Sequence, residues 1–308
     1  MIDILMATYN GAKYVDKQID SILNQTYTDW KLYIRDDGSN DGTKEILQDY
    51  ERKYPNKIVV IRDNKKGLGA KGNFTELMRY SKSEYCMFSD QDDVWLESKI
   101  EDSIRVMREA ETLNGTDIPV LVHTDLKVVD KNLNIINESF WEYQNLNCDN
   151  KNLNKLLIQN NITGCTILMN KSLTYMCRNI PSNCIMHDWW IALVASAFGK
   201  IYTVDKQTML YRQHGNNEVG AHKYNSFSFV KNKLSNLEKI SKSIDDTIIQ
   251  AEAFYNEFKD KLSDNDRNLV YNYSVLREKN FIQRKQSIVK NKFYKSGLVR
   301  NIGYLIFV

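Results

Sequence analysis

Short β-like runs alternate with helically spaced apolar residues along the first ninety positions of the chain. The run Ile2 to Met6 breaks at ATYNGAKY, after which Tyr14, Val15, Ile19, Ile22 and Leu23 recur at helical spacing. Trp30 to Ile34 reads as the next strand. It ends in RDDGSNDGT, where Ser39 to Asp41 offer caps for a helix over KEILQDYERKY. Ile58 to Ile61 is a third strand. A loop containing Gly67, Gly69 and Gly72 leads to a helix near Phe74 to Tyr80, and Tyr85 to Phe88 is a fourth strand. Four such alternations predict an α/β domain whose parallel sheet is connected by right-handed crossovers.

The stretch FSDQDDVW closes this region, with Asp90, Asp92 and Asp93 within four residues of one another directly after the fourth strand. The carboxylates therefore emerge at a strand's C-terminal end, which is where open α/β sheets bind ligands. Crowded carboxylates repel one another unless a cation neutralises them, and a hard divalent ion holding a diphosphate does so. The motif by itself also fits an acidic helix N-terminus, because VWLESKIEDSIRVM follows with helical periodicity.

Beyond about residue 115 the pattern loosens. Val120 to Val122 and Leu126 to Val129 are β-like, Ile162 to Met169 is apolar, and helices are expected over Asn170 to Asn179 and His187 to Phe198. Two short strands, IYTV and TMLYR, precede QHGNNEVG. From about Phe227 two long amphipathic helices are expected, broken at KLSDNDR, where Ser263 and Asp266 fit a capping box. The organisation read from this pattern is a domain over 1–220, with a nucleotide half to about 115 and an acceptor half over 116–220. A basic helical hairpin covers 221–308.

Composition changes the picture little until its distribution is considered. A 308-residue chain that is 42% apolar has ample core, and five cysteines without CxxC spacing argue against a disulfide framework and a zinc site. The net charge of +3 does not point to nucleic acid. No run approaches the length needed to span a bilayer, so a cytoplasmic or peripheral protein is expected. From Lys279 to Val308 there are seven basic residues and no acidic one, interleaved with apolar positions. That is either a solvated helix face or a surface for an anionic membrane.

Three further places carry candidate chemistry. At RDDGSNDGT, Asp36 or Asp37 can accept a hydrogen bond from the N3 imide of a pyrimidine base, although a capped polar turn explains the same residues. Asp188, in HDWW, suits either an N-cap or a general base, and Trp189 and Trp190 either core or a sugar-stacking surface. His214 sits in a polar loop, and Arg212 two residues earlier is placed to pair with phosphate or with the aspartate cluster.

Taken together and in order, ATYNGAKYVDKQIDSILNQT, IRDDGSNDGT, NKKGLGAKGNF, FSDQDDVW, TGCTILMN, HDWWIALVASAFGKI and YRQHGNN resemble the family 2 glycosyltransferases of GT-A fold. HDWW and QHGNN look like the rhamnosyltransferase-like branch that builds bacterial surface polysaccharides such as capsules. The resemblance implies a DxD motif at Asp90 to Asp92 that binds Mn2+ or Mg2+ and the donor, with His214 as a further metal ligand. It implies a nucleotide pocket with Thr8, Tyr9, Asp36 or Asp37, and Arg212, and it makes Asp188 the catalytic base. Acceptor contacts are implied at Gly164, Cys165, Trp189 and Trp190. Where the family often has Glu-Asp, this chain has His187-Asp188, so the role of the first position does not carry over.

The implied reaction is an inverting, metal-dependent transfer from a nucleoside-diphosphate sugar, dTDP-L-rhamnose or a UDP-hexose, to a glycan or lipid-linked oligosaccharide. One sugar per encounter is expected, because there is no QxxRW motif and no spanning helix of the kind processive synthases carry. A sugar nucleotidylyltransferase would need a glycine- and arginine-rich loop after the first strand, which ATYNGAKY does not supply. A non-catalytic sugar-binding relative would be expected to have lost Asp90, Asp92 or Asp188, and all three are present.

Overall fold

The computed structural model describes residues 1–215, 220–221, 224 and 237–308. In chain order it runs β1 (Ile2–Thr8), α1 (Val15–Leu23), β2 (Trp30–Asp36), α2 (Thr43–Lys53), β3 (Ile58–Ile61), α3 (Gly69–Met78), β4 (Tyr85–Ser89), β5 (Val94–Trp95) and α4 (Lys99–Asn114). There follow β6 (Val120–Val129), β7 (Ile135–Asn137), α5 (Phe140–Gln144), α6 (Leu153–Leu156), β8 (Leu168–Asn170), α7 (Lys171–Met176), α8 (His187–Phe198) and β9 (Lys200–Arg212). The C-terminal part consists of α9 (Leu237–Phe258), α10 (Asp264–Ser274), α11 (Phe281–Asn291) and α12 (Leu298–Phe307). The start of the helix expected from Phe227, and Asn216 to Val219 of QHGNNEVG, lie outside the described residues.

Two compact units result. The first comprises Met1–Phe140, Thr163–Asn179 and Gly199–Ala221, and the second Trp141–Ile162, Ile180–Phe198 and His222–Val308. This differs from a single cut at 220/221, because α6 and α8 belong with the C-terminal helices. In the second unit Trp190 of α8 is fully buried against Phe254 and Phe258 of α9, at ring centroid distances of 5.4 and 6.1 Å. Aromatic pairing between segments far apart in sequence assigns α8 to its unit, and no local pattern reports that.

The first unit is built on one nine-stranded sheet with the order β3-β2-β1-β4-β8-β6-β9-β5 and β7 beside β6. The first four strands are parallel, as predicted, in a register that sets Thr8 beside Asp36 and Met6 beside Ser89. Consecutive residues Ile4, Leu5 and Met6, and Met87 and Phe88, are all fully buried, so both sheet faces are covered by other elements. That is why these runs were continuous rather than alternating. β8 is antiparallel to β4 and β6, while β6 and β9 pair in parallel, making the whole sheet mixed.

Three expectations change with this sheet. Val94 and Trp95, read as the start of a helix, instead pair with Leu210 and Met209 of β9, and the helix begins only at Lys99. The aspartate cluster is therefore not a helix N-terminus. β6 and β9 are each one long strand rather than two, although polar residues interrupt both. His123, Thr124 and Asp125 are buried and hydrogen-bonded across the pair, to Thr203 at 3.1 Å, Thr208 at 2.6 Å and Gln207 at 3.1 Å respectively, with a register shift at the interruption. The helix expected over Asn170 to Asn179 is shorter, with Asn170 closing β8 and capping Leu173.

In the second unit the expected helical hairpin is, among the described residues, four helices. Ser263 accepts from the Asp266 amide at 3.2 Å, but the Asp266 carboxylate takes the Ser263 hydroxyl at 2.8 Å and not its backbone N–H, so the expected capping box is half formed. Asn280 and Gln283 form a complete capping box, Lys292 ends α11 in the left-handed region, and Gly297 opens α12 at φ +82°. The Gly297 position is closed to a side chain, since a Cβ would lie 2.4 Å from the Tyr224 hydroxyl. Among the described residues no helix is long and apolar enough to cross a membrane.

Candidate active site

Parallel pairing puts the C-terminal ends of β1, β2 and β4 side by side, so the loops that follow them meet at one sheet edge. Thr8 donates its hydroxyl to Asp36 at 3.1 Å, and the Asp37 amide donates to the Thr8 carbonyl at 2.9 Å. The Tyr9 backbone and the Gln91 side-chain amide exchange two hydrogen bonds, each 2.9 Å long. Tyr9 itself is exposed. A Cβ at Gly11 would sit 2.1 Å from the Gln91 Oε1, so only glycine leaves room for this pair. The next loop is tied in through Asn10 to Ser39 at 2.8 Å and Gly11 to Thr43 at 2.9 Å.

Asp36 and Asp37 serve different ends. Asp36 accepts from the Thr8 and Ser39 hydroxyls and from the Gly38 and Ser39 amides, so its four acceptor positions are engaged. Asp37 accepts one bond on each oxygen, from Arg35 at 3.1 Å and from the Gly69 amide at 2.9 Å, which leaves acceptor capacity on both. Arg35 is itself fully buried and holds Asp63 through two bonds of 2.9 and 3.0 Å. Desolvation opposes its charge, and the pairing with Asp63 and Asp37 more than compensates, so its pKa is raised.

The aspartate cluster is drawn together with the end of β9. His214 Nε2 lies 2.6 Å from Asp92 Oδ2, and its ring stacks on Tyr14 at 5.0 Å. Asp93 is fully buried; its Oδ1 accepts from the Arg212 amide at 3.1 Å, and its Oδ2 has no hydrogen-bond partner among the described residues. Burial pushes the Asp93 carboxyl well above the usual carboxylate range, and the charges of Asp92 and Asp90 push it further. Beneath it Lys99 is buried over the Trp95 ring at 4.9 Å, and burial lowers its ammonium to about 8. One oxygen each of Asp90 and Asp93 and the thiol of Cys165 lie within 4.8 Å of one another. A crowded acidic donor set containing an orphaned buried oxygen fits a divalent cation.

Several expected site residues are placed otherwise. Arg212 is a buried strut: its Nε donates to the Asp92 carbonyl at 2.6 Å, its Nη1 to the Lys131 carbonyl at 2.9 Å, and its guanidinium covers Tyr14 at 4.7 Å. It braces the cluster rather than reaching out for phosphate. Gly164 and Cys165 form a buried 3-10 turn before β8. In the second unit Trp190 is core, which removes it as a sugar platform, while half-buried Trp189 donates to the Leu156 carbonyl at 2.5 Å. Asp188, half-buried in the first turn of α8, accepts from the Trp189 amide at 2.6 Å. His187 is buried, and desolvation lowers its imidazole to about 3, so it stays neutral.

Sequence reasoning gave no role to Gln91, Tyr14, Arg35 or Lys99. Gln91 stood inside the motif, but its partner is 82 positions away. Tyr14 was legible only as the first of the helically spaced apolar positions that follow β1, and no local pattern marked Arg35 or Lys99.

A mixed, helix-flanked sheet that gathers carboxylates at the ends of its parallel strands is the GT-A fold. Residues 3–174 match the glycosyl transferase family 2 model, and the chain belongs to that family. It is 31% identical over 240 residues to the dTDP-rhamnosyl transferase RfbG of Shigella flexneri, across 74% of this chain and 80% of that protein. Among solved structures, S. aureus TarS 1-349 in complex with UDP-GlcNAc superposes with a TM-score of 0.54 at 15% identity, over 94% of this chain and 88% of that one. The mannosyltransferase PcManGT from Pyrobaculum calidifontis, in complex with GDP-Man and Mn2+, gives 0.57 at 12% identity, over 94% and 73%. Both are likenesses of fold.

Proposed function

We propose that this glycosyltransferase moves one sugar per encounter from a nucleoside-diphosphate sugar, in first place dTDP-L-rhamnose, to a hydroxyl of a growing surface glycan or lipid-linked oligosaccharide. The observation that carries the reading is the gathering of carboxylates after β4, where Asp92 meets His214 at 2.6 Å and oxygens of Asp90 and Asp93 lie within 4.8 Å of each other. Rhamnose is supported by the similarity to the Shigella dTDP-rhamnosyl transferase over most of both chains. A UDP-hexose donor is the second reading, since uracil presents to Asp37 the same N3–H as thymine.

Residue roles follow from the chemistry. The Thr8 to Tyr9 loop lines the nucleotide, and Asp37, with acceptor capacity to spare, takes the N3–H of the pyrimidine base. Asp90, Asp92 and His214 hold Mn2+ or Mg2+, which when bound neutralises charge on the leaving diphosphate. Gln91 ties the nucleotide loop to this cluster through its pair with Tyr9. The acceptor oxygen attacks the anomeric carbon as the bond to the diphosphate oxygen breaks, and Asp188 takes the hydroxyl proton. A single displacement inverts the anomeric centre and needs no covalent nucleophile. The work is done at the inner face of the cytoplasmic membrane, where a lipid-linked acceptor resides.

Nucleoside diphosphate release from a panel of dTDP- and UDP-sugars, with Mn2+ and with chelator, tests the reading beside Asp188→Asn. Chelator-sensitive release from one donor, lost in the variant, supports it and names the donor. Absence of release from every donor, with bacterial lipid extract as acceptor, refutes it.

A further inference from the structure

The last two helices of the second unit expose apolar side chains in a pattern the packing of that unit does not use. On α12, Leu298, Ile302 and Ile306 are 74, 50 and 66% exposed, and their i, i+4, i+8 spacing sets them on one stripe. The opposite side of the same helix carries Tyr304, buried in the unit's core. On α11, Ile282 and Val289 lie seven positions apart on one stripe and are 67 and 63% exposed, Phe281 is 69% exposed at the first residue of the helix, and Ile288 is fully buried. Each helix thus has one apolar face for its own core and another facing out. The two outward stripes are linked by Lys285, whose ammonium sits over the Phe281 ring at 5.1 Å and bonds to the Leu305 carbonyl of α12.

Charge decides what such a face fits. Every ionisable side chain from Lys279 to Val308 apart from the tyrosines is cationic, and Lys290 and Lys292 are exposed at the end of α11. A second copy of the same face would bring like charges together around the apolar stripes, which opposes self-pairing. An anionic bilayer satisfies both features, because the lysines meet phosphate headgroups while the apolar stripes enter the headgroup–acyl boundary. We propose that α11 and α12 form a membrane-docking face for an anionic bilayer, through Phe281, Ile282, Val289, Leu298, Ile302 and Ile306 with Lys290 and Lys292. The inference deepens the reading of a lipid-linked acceptor given above, yet it is tested without any sugar donor.

The experiment is co-flotation of the full chain with vesicles of phosphatidylcholine alone and with vesicles of equal parts phosphatidylcholine and phosphatidylglycerol. Binding to the anionic vesicles at least tenfold above the neutral ones, and its loss in concentrated salt, is expected. The pair Phe281→Ser and Ile302→Ser, and separately the pair Lys290→Glu and Lys292→Glu, should each lower the partition about tenfold or more. Melting temperature and soluble nucleoside diphosphate release, measured on the same samples, should stay at the parental values. Equal partition on both vesicle types, or partition indifferent to both variant pairs, overturns the proposal. So does a concentration-dependent dimer in sedimentation velocity that either variant pair abolishes, since a second copy would then be the occupant. Donor release without vesicle binding would sink the docking face and leave the glycosyltransferase reading intact; vesicle binding without release would do the reverse.

Discussion

His187 stands next to the proposed base, and burial lowers its imidazole to about 3 from an ordinary value of 6.5. Between these two values the unfolded chain binds a proton that the folded chain does not, so stability falls as pH drops through 6.5 toward 3. Each pKa unit is worth about 1.36 kcal/mol, which puts the full loss at about 5 kcal/mol once pH reaches the folded value. Most of that lies below the useful range. From pH 7.5 to pH 5 the share is about 2 kcal/mol, a sizeable part of the stability of an ordinary domain. His187→Gln removes the titration and keeps a polar side chain of similar reach. The assay is urea unfolding at both pH values, followed by tryptophan fluorescence, with Trp189 and Trp190 reporting on α8. Wild type should lose about 2 kcal/mol more than the variant on acidification. The comparison is of slopes, so the variant's own cost at neutral pH does not enter. Equal losses in the two proteins would refute the reasoning and mean that the imidazole is protonated or solvated in the fold.

Other perturbations separate the proposed roles. Asp188→Asn should lower kcat about 10²-fold or more with donor KM and melting temperature little changed, as steady-state kinetics and calorimetry would reveal. His214→Ala should weaken Mn2+ binding by roughly 10- to 100-fold, read directly by electron paramagnetic resonance of free Mn2+; unchanged affinity would remove His214 from the ligand set. Arg35→Met strands the buried Asp37 and leaves Asp63 without its partner, and should cost about 3–5 kcal/mol in denaturant unfolding. Gly11→Ala should displace Gln91 at little cost in stability, because only the end of a flexible side chain must move, but raise donor KM by breaking the Tyr9–Gln91 pair.

Much of this protein was written locally. The continuous apolar runs at Ile2, Trp30, Ile58 and Tyr85, spaced by helical stretches, determined four parallel strands and therefore which loops share an edge. Asp36, Asp37, Asp90 and Asp92 were legible because strand ends and carboxylates are both visible in one dimension. Pairings between distant segments were not. His214 meets Asp92 across 122 positions because β9 runs alongside β6 and β5, and the polar residues inside those strands hid the pairing by looking like loops. Burial decided the rest: it turned Arg212 into a strut, Trp190 into core and Lys99 into a buried ammonium, since the environment of a side chain is set by what folds over it. Apolar periodicity states that a face will be covered; only the tertiary structure states by what, and leaves the outer stripes of α11 and α12 uncovered within the described residues.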